Sequence, residues 1–237
     1  MTIAAVLLNF PYVERDGCRP VRVEGLMLLL PKEIERYVKN YTSPISPLLE
    51  ELEKETYKKT AAPQMLTGRV EGRFLQMLVS VSGVKRVVEI GTFTGYSALM
   101  MAEGLPEDGE IVTCEVLKEH ASIAQSYFRR SPHGHKITLK LGPAIETLLT
   151  LPAGSADFIF IDADKVSYPA YYDEGMRILR SGGIMLADNV LWSGRVISPR
   201  DSESRAIAAF NRRVKDDKGA EKVMLTIRDG VYLIRKK

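Results

Sequence analysis

Cysteine and histidine are scarce in this chain of 237 residues. Its two cysteines, Cys18 and Cys114, are too few to build a disulfide framework. Cys114 falls inside an apolar, strand-like run, where we expect a small buried side chain. Two of the three histidines, His133 and His135, lie in a polar turn and are expected to be solvated. Free thiols suit a reducing compartment, so we expect a cytoplasmic protein.

A strong charge of one sign and a long apolar run are missing as well. The formal net charge is only +3, which gives no strong electrostatic case for nucleic-acid binding. The apolar segment 1–10 is too short to span a bilayer and lacks the features of a signal peptide, so no membrane anchor is expected. We interpret residues 1–30 as an N-terminal extension that could be flexible, and residues 31–237 as a single domain.

Apolar runs alternate with helical segments through the middle of the chain. Three helices are predicted first, around residues 34–41, 48–60 and 69–81. Strand-like runs then follow at Arg86–Ile90, Ile111–Glu115, Ile137–Leu141, Asp157–Ile161 and Gly183–Ala187, each separated by a helical segment. This alternation predicts βαβ units and a parallel sheet.

The C-terminus departs from this alternation. Lys222–Arg228 and Val231–Arg235 flank Asp229-Gly230, a pattern that indicates a β-hairpin with a two-residue turn. The whole chain is then an α/β protein with a seven-stranded, mostly parallel sheet, helices on both faces and an antiparallel C-terminal strand. Such a sheet indicates a Rossmann-like class I methyltransferase fold rather than the usual dinucleotide-binding plan, although antiparallel edge strands occur in many α/β folds.

The first strand-to-helix turn is rich in glycine. Gly91-Thr-Phe-Thr-Gly95-Tyr-Ser97 follows an apolar strand, and glycines there allow a sharp turn and the close approach of a ligand. The next strand ends at Glu115, where an acid can accept hydrogen bonds from ribose hydroxyls. The GxxxG spacing serves a pyrophosphate less well than GxGxxG. A tight turn without a ligand is the alternative at this stage.

Polar residues also follow two later apolar strands. Asp162 ends Phe158–Ile161, with Lys165 close behind it, and Asp188 and Asn189 end the run from Gly183. If the two strands are neighbours, hard oxygen ligands and a lysine share one crevice at the carboxyl ends of the sheet. That favours a divalent cation and proton chemistry, although acidic residues often do no more than end strands and open turns.

Several of these segments resemble one enzyme family. Glu89-Ile-Gly-Thr-Phe-Thr-Gly-Tyr-Ser97, Phe160-Ile-Asp-Ala-Asp-Lys165 and Asp188-Asn-Val-Leu-Trp-Ser-Gly194 are similar to motifs of the cation-dependent S-adenosylmethionine (SAM) O-methyltransferases, which include the catechol and caffeoyl-CoA enzymes. The upstream segment Pro63–Thr67 also matches. Ala163-Asp164 lacks the aromatic wall of the animal catechol enzymes, so the resemblance is to plant-type and bacterial members.

The resemblance implies a role for each matched position. Asp162, Asp188 and Asn189 would hold the metal, which we expect to be Mg²⁺ or another divalent cation such as Mn²⁺ or Ca²⁺. Lys165 would be the general base and, with Asp162, the catalytic pair. The cofactor-binding set would be Met65, Thr67, Glu89, Gly91, Phe93, Tyr96, Ser97, Glu115, Val116, Ala144 and Asp162. Trp192, Tyr172 and Lys165 would line the acceptor pocket, although either aromatic residue could simply pack on the core.

The reaction implied is transfer of a methyl group from SAM to one hydroxyl of a vicinal aromatic diol, such as a catechol or a caffeoyl-type phenolic. A homodimer is also implied. Two alternatives remain at this stage: the same chemistry on a tRNA hydroxyl, and an NAD-dependent oxidoreductase. Scattered arginines give the first little support, and the second leaves Asp188 and Asn189 unexplained.

Overall fold

A computed structural model describes residues 22–23, 26–27 and 31–237 of the chain. Two short strands, β1 (Arg22–Val23) and β2 (Leu26–Met27), pair antiparallel. The rest of the predicted N-terminal extension lies outside the described residues. No helix among those described is long and apolar enough to cross a membrane.

The predicted alternation of strands and helices is present from residue 31 onward. The helices are α1 (Lys32–Asn40), α2 (Pro47–Lys59), α3 (Gly68–Ser82), α4 (Tyr96–Gly104), α5 (Lys118–Arg130), α6 (Ala144–Thr150), α7 (Tyr168–Ile178) and α8 (Ser202–Asp216). The strands are β3 (Arg86–Ile90), β4 (Glu110–Glu115), β5 (Ile137–Leu141), β6 (Ala156–Ile161), β7 (Leu179–Ala187), β8 (Ala220–Leu225) and β9 (Val231–Lys236). Short 3-10 turns cover Pro63–Met65, Gly134–Lys136, Lys165–Ser167 and Trp192–Ile197.

Seven strands form one sheet in the order β5-β4-β3-β6-β7-β9-β8. Strands β3 to β7 pair in parallel, and β9 runs antiparallel to both of its neighbours, β7 and β8. The predicted class I methyltransferase fold is confirmed. Strand β3 lies between β4 and β6, so the strand order reverses beside it. Ligands bind at such a reversal, outside the carboxyl ends of the strands.

Helices cover both faces of this sheet, as predicted. Along β6, Phe158 and Phe160 are buried against α3 and α4, whereas Ile159 and Ile161 are buried against the helices α6 to α8. Alternate residues of a strand point to opposite faces, so a strand buried on both sides is apolar throughout. This is why β6 reads as an uninterrupted apolar run.

Two details differ from the sequence-based expectation. Leu225 pairs with Val231, so five residues, 226–230, connect β8 and β9, and the predicted two-residue turn is wrong. Strand β7 begins at Leu179 rather than Gly183, with a register irregularity opposite the start of β6. Glycine and serine near the start of β7 interrupt the apolar pattern, so the first residues of the strand were not recognised from the sequence.

Candidate active site

The turn after β3 brings the backbone close to the end of β6. Gly91 has φ +100°, and a Cβ added there would lie 2.0 Å from the carbonyl oxygen of Asp162. Gly95, at φ +90°, precedes the first residue of α4, and a Cβ there would lie 2.6 Å from the ring of Phe128. Any other residue at these two positions would have an unfavourable positive φ and a Cβ that clashes with its neighbours. Both positions therefore need glycine, which explains the spacing found in the sequence.

Glu115 is held at the end of β4 by backbone N–H groups. Phe93 N donates to its Oε2 at 2.7 Å, while Val116 N and Leu117 N donate to its Oε1 at 2.9 and 2.8 Å. A carboxylate has about four acceptor sites, so one remains for a ligand. The ring of His120 packs edge-on against Phe93, with centroids 4.7 Å apart. The carboxylate is thus fixed in orientation before any ligand binds.

Glu89 lies fully buried on β3, just before the glycine-rich turn. Thr113 Oγ1 donates a hydrogen bond to its Oε2, and Oε1 has no partner among the described residues. Burial raises the pKa of Glu89 to about 8. The side chain is therefore largely protonated near neutral pH, when no ligand is bound.

Asp162 and Asp188 follow residues that pair with each other in neighbouring strands. Ile161 on β6 pairs with Ala187 on β7, and Asp188 N donates to Ile161 O at 3.0 Å. Asp188 is 1% exposed, and its Oδ1 accepts from Asn189 N at 2.7 Å. Asn189 has φ +57°, in the left-handed region that asparagine tolerates better than most residues.

This donor set fits a hard divalent cation. Burial, and then the charge of Asp162, raise the pKa of Asp188 to about 6, so its ionised form is disfavoured unless a positive charge such as a cation compensates it. The described residues bring together no group of three or more His, Cys, Asp or Glu side chains that could hold a metal by themselves. The protein would therefore supply only two carboxylates and the amide of Asn189, which would leave coordination positions for water or substrate oxygens.

Lys165 is buried beside this pair of strand ends. Its Nζ donates to Asp162 Oδ1 at 3.1 Å and to the hydroxyl of Tyr168 at 2.7 Å. Asp164 fixes the local backbone, because its Oδ1 accepts from Ser167 N at 3.0 Å and caps the 3-10 turn that contains the lysine. The amine is therefore held between a carboxylate and a phenol at the crevice.

Trp192 lies over this lysine on a loop with unusual backbone angles. Trp192 and Ser193 have φ values of +46° and +51°. The indole ring is 5.6 Å from Lys165 Nζ, and its Nε1 is buried with no hydrogen-bond partner among the described residues. Asp229 Oδ1 accepts from Ser193 N at 2.6 Å and so fastens this loop to the β8–β9 connection. Backbone angles of this kind often occur at functional sites.

One buried ion pair beside the site was missed in the sequence. Arg228, at φ +48° in the β8–β9 connection, donates to Glu71 Oε2 at 2.9 Å and to the carbonyl oxygen of Thr67. Glu71 is completely buried, and burial followed by the charge of Asp188 raises its pKa well above the usual range. The partners lie 157 positions apart, so no local pattern could have paired them.

A cavity of about 390 Å³ joins these features at the carboxyl ends of the strands. Eleven of the predicted site residues line it: Met65, Gly91, Phe93, Glu115, Val116, Ala144, Asp162, Lys165, Asp188, Asn189 and Trp192. Arg228, His120 and Tyr171 also line it, although the sequence did not single them out as site residues. The glycine-rich turn and the predicted metal ligands therefore share one cavity.

Five predicted site residues lie outside the lining of that cavity: Thr67, Glu89, Tyr96, Ser97 and Tyr172. All five are less than a tenth exposed. The hydroxyl of Tyr172 donates to Asp217 Oδ2 at 2.8 Å, and its ring packs edge-on against Phe210. The structure therefore places Tyr172 in the core rather than in the lining of the cavity, because its side of α7 faces α8.

Comparison with known proteins gives a consistent result. A family model described as O-methyltransferase matches residues 39–237. The chain is 34% identical over 210 residues to the probable caffeoyl-CoA O-methyltransferase 1 of Dictyostelium discoideum, covering 86% of this chain and 91% of that protein. It is 37% identical over 185 residues to the caffeoyl-CoA O-methyltransferase 2 of Zea mays, covering 73% and 70%.

A solved structure has the same fold. The O-methyltransferase from Bacillus cereus, determined in complex with S-adenosylhomocysteine (SAH), is 30% identical to this chain and superimposes with a TM-score of 0.79. The match covers 86% of this chain and 97% of that one.

Proposed function

This chain belongs to the O-methyltransferase family and is a SAM-dependent O-methyltransferase, and from that premise we propose that it methylates one hydroxyl of a vicinal aromatic diol with the help of a divalent cation. Catechols and caffeoyl-type phenolics are the acceptors in question. Mg²⁺ is the cation we expect, with Mn²⁺ or Ca²⁺ as substitutes.

One observation carries this proposal. Asp162 and Asp188 follow paired residues of adjacent strands, and Lys165 Nζ lies 3.1 Å from Asp162 in the same cavity. Asp162, Asp188 and Asn189 would hold the cation. When bound, it supplies positive charge that favours the ionised form of a chelated hydroxyl. A diol supplies two adjacent oxygens, which suits a site with coordination positions to spare.

The other residues bind and orient the two reactants. We assign the ribose of SAM to Glu115, its methionine part to the Gly91 turn, and its adenine to Ala144, all of which line the cavity. Met65 would lie near the sulfonium, and Trp192 would form a wall for the aromatic acceptor. Lys165, as an uncharged amine, would take the hydroxyl proton and become an ammonium group, after which the oxygen accepts the methyl group and SAH leaves. Most of the rate enhancement would come from positioning.

Substitution of the metal ligands tests the proposal. Asp188→Ala should abolish methyl transfer while SAH binding, measured by calorimetry, largely survives, because Asp188 is not one of the proposed cofactor-binding residues. Asp162→Ala should abolish methyl transfer as well. Chelation with EDTA should have the same effect on the wild-type protein. Asp173→Ala, an exposed aspartate on α7, is the matched control and should keep full activity. Full activity of the site variants, or of the wild type in EDTA, would contradict a role for the metal.

The role of Lys165 needs a separate measurement. If the lysine is the base, Lys165→Met should lower kcat steeply and change the dependence of kcat on pH. An unchanged rate and pH profile would leave deprotonation to the metal alone.

A tRNA hydroxyl is the second acceptor to test. The net charge of +3 gives it little support. Phosphate contacts make nucleic-acid binding fall steeply as salt rises, so an interaction with tRNA that is insensitive to salt would count against it. Methyl transfer to tRNA, with none to small diols, would overturn the phenolic assignment.

Homodimerisation and a cytoplasmic location also remain proposals. The apolar face formed by Ile34, Tyr37 and Val38 of α1, with Tyr41 directly after the helix, is exposed in the single chain and is available to a partner. Cys114 is free and buried, which suits a reducing compartment. Light scattering on the purified protein should give twice the chain mass.

A further inference from the structure

Tyr168, the first residue of α7, is fully buried directly beneath the crevice. Its ring packs edge-on against Phe210, with centroids 5.4 Å apart and planes at 83°. A side chain packed in this way has few alternative rotamers, so its hydroxyl is a fixed point. It was not among the site residues that the sequence suggested.

The hydroxyl of Tyr168 makes contacts in two directions. It accepts a hydrogen bond from Lys165 Nζ at 2.7 Å. Its own proton can go to Asp188 O at 3.0 Å or, less favourably, to Ile161 O at 3.3 Å. A phenol has one donor and can accept as well, so this arrangement satisfies the group fully.

The geometry of the 3-10 turn brings the lysine and the tyrosine together. Residues three apart eclipse in such a turn, and Lys165 stands three positions before Tyr168. The lysine side chain would otherwise have many rotamers, and holding it in one costs considerable entropy. Asp162 supplies one fixed acceptor for the amine, and Tyr168 supplies the other at a shorter distance.

We propose that Tyr168 is a positioning residue for the methyl-transfer step, which fixes Lys165 Nζ at the acceptor hydroxyl by accepting its hydrogen bond. Tyr168 itself touches neither reactant. Its effect on the reaction passes through Lys165, so the inference rests on the role proposed above for that lysine. The alternative is a structural role, in which the hydroxyl only provides a hydrogen bond to the carbonyl oxygens of Ile161 and Asp188.

A double-mutant cycle separates these possibilities. Tyr168→Phe removes only the hydroxyl and should lower kcat about tenfold, while the KM for SAM and the affinity for SAH change less than about twofold. In a Lys165→Met background the same substitution should change kcat less than about twofold, because the amine it positions is gone. Tyr127→Phe is the matched control, since that buried hydroxyl donates to Glu55 Oε2 at 2.7 Å on α2 and should leave kcat unchanged.

Each contrary result has a distinct meaning. Equal effects of Tyr168→Phe in both backgrounds, or no effect in either, would overturn the positioning role. Loss of SAH binding in Tyr168→Phe would overturn it too. So would a rise in the Mg²⁺ concentration needed for half-maximal activity that matches the fall in kcat. In either case the hydroxyl would act by stabilising the backbone at the ends of β6 and β7. If Lys165→Met alone keeps the full rate, the proposed base fails, and the inference from it fails as well.

Discussion

Glu89 connects the ionisation of one residue to the stability of the fold. It is fully buried at the end of β3, where burial raises its pKa to about 8, well above the ordinary value of roughly 4.3. The folded protein therefore keeps a proton that the unfolded chain releases. The stability from this proton is fully present below roughly pH 4 and is lost as the pH rises through about 8.

Glu89→Gln should remove that dependence on pH. Relative to the wild type, the variant should become progressively more stable between roughly pH 5 and 8, by about 1.4 kcal/mol for each unit of pH at most. Urea unfolding without ligand, at several pH values, measures this difference. Glu110→Gln, at an exposed position on β4, is the control and should show no such trend. A constant difference between Glu89→Gln and the wild type would contradict a raised pKa.

Residues of the site could be predicted where the chain places them directly after a strand. Asp162, Asp188 and Asn189 follow apolar runs, so the sequence locates them at one edge of the sheet, and the structure brings all three to the same cavity. Tyr172 could not be assigned in this way, because its side of α7 depends on how that helix packs against α8. The partner of Glu71 depends on long-range folding and leaves no local signal.

The β8–β9 connection, residues 226–230, makes hydrogen bonds to two parts of the site, α3 and the loop that follows β7. Arg228 bonds to Glu71 on α3, Asp229 bonds to Ser193 in the tryptophan loop, and Val190 N donates to Gly230 O at 3.0 Å. A Cβ at position 230 would lie 2.4 Å from Leu191 Cγ, so a glycine is needed there. The terminal hairpin therefore holds the walls of the cavity as well as closing the sheet.

Arg228→Met should destabilise the protein, because it removes the donor that bonds to the completely buried carboxyl group of Glu71. Since the arginine is about a third exposed, we expect a loss of about 1–3 kcal/mol in urea unfolding. Adding Glu71→Gln should recover part of that loss, because it replaces a buried acid with a neutral amide.

Arg195→Met provides the control, since its ion pair with Asp201 is exposed at 3.6 Å and should contribute at most about 1 kcal/mol. Equal losses for Arg228→Met and Arg195→Met would show that burial of Glu71 is not the cause.

Strand β6, which is buried on both faces, was predicted to within one residue of its observed start. Its apolar run is required by helices on both sides of the sheet. The β8–β9 connection was predicted too short because Thr226 and Ile227 continue a strand-like pattern. Whether these two residues pair in a strand depends on tertiary contacts, which local propensity does not report.

At the scale of the whole molecule, the sheet order determines which chemistry is possible. Placing β6 and β7 side by side, with β3 next to β6, brings the glycine-rich turn and the acidic strand ends into one cavity of about 390 Å³. The activity of an NAD-dependent oxidoreductase would not require the side chains of Asp188 and Asn189. The proposed metal-assisted methyl transfer would use both halves of the cavity.

Methyl transfer from SAM to a matched pair of acceptors tests this account most directly. Catechol should be methylated in Mg²⁺, should lose nearly all turnover in EDTA and should regain it when Mg²⁺ is restored in excess. Phenol, which has a single hydroxyl and cannot chelate, should be a poor acceptor under all three conditions. Full turnover of catechol in EDTA, or equal turnover of phenol and catechol, would contradict the account.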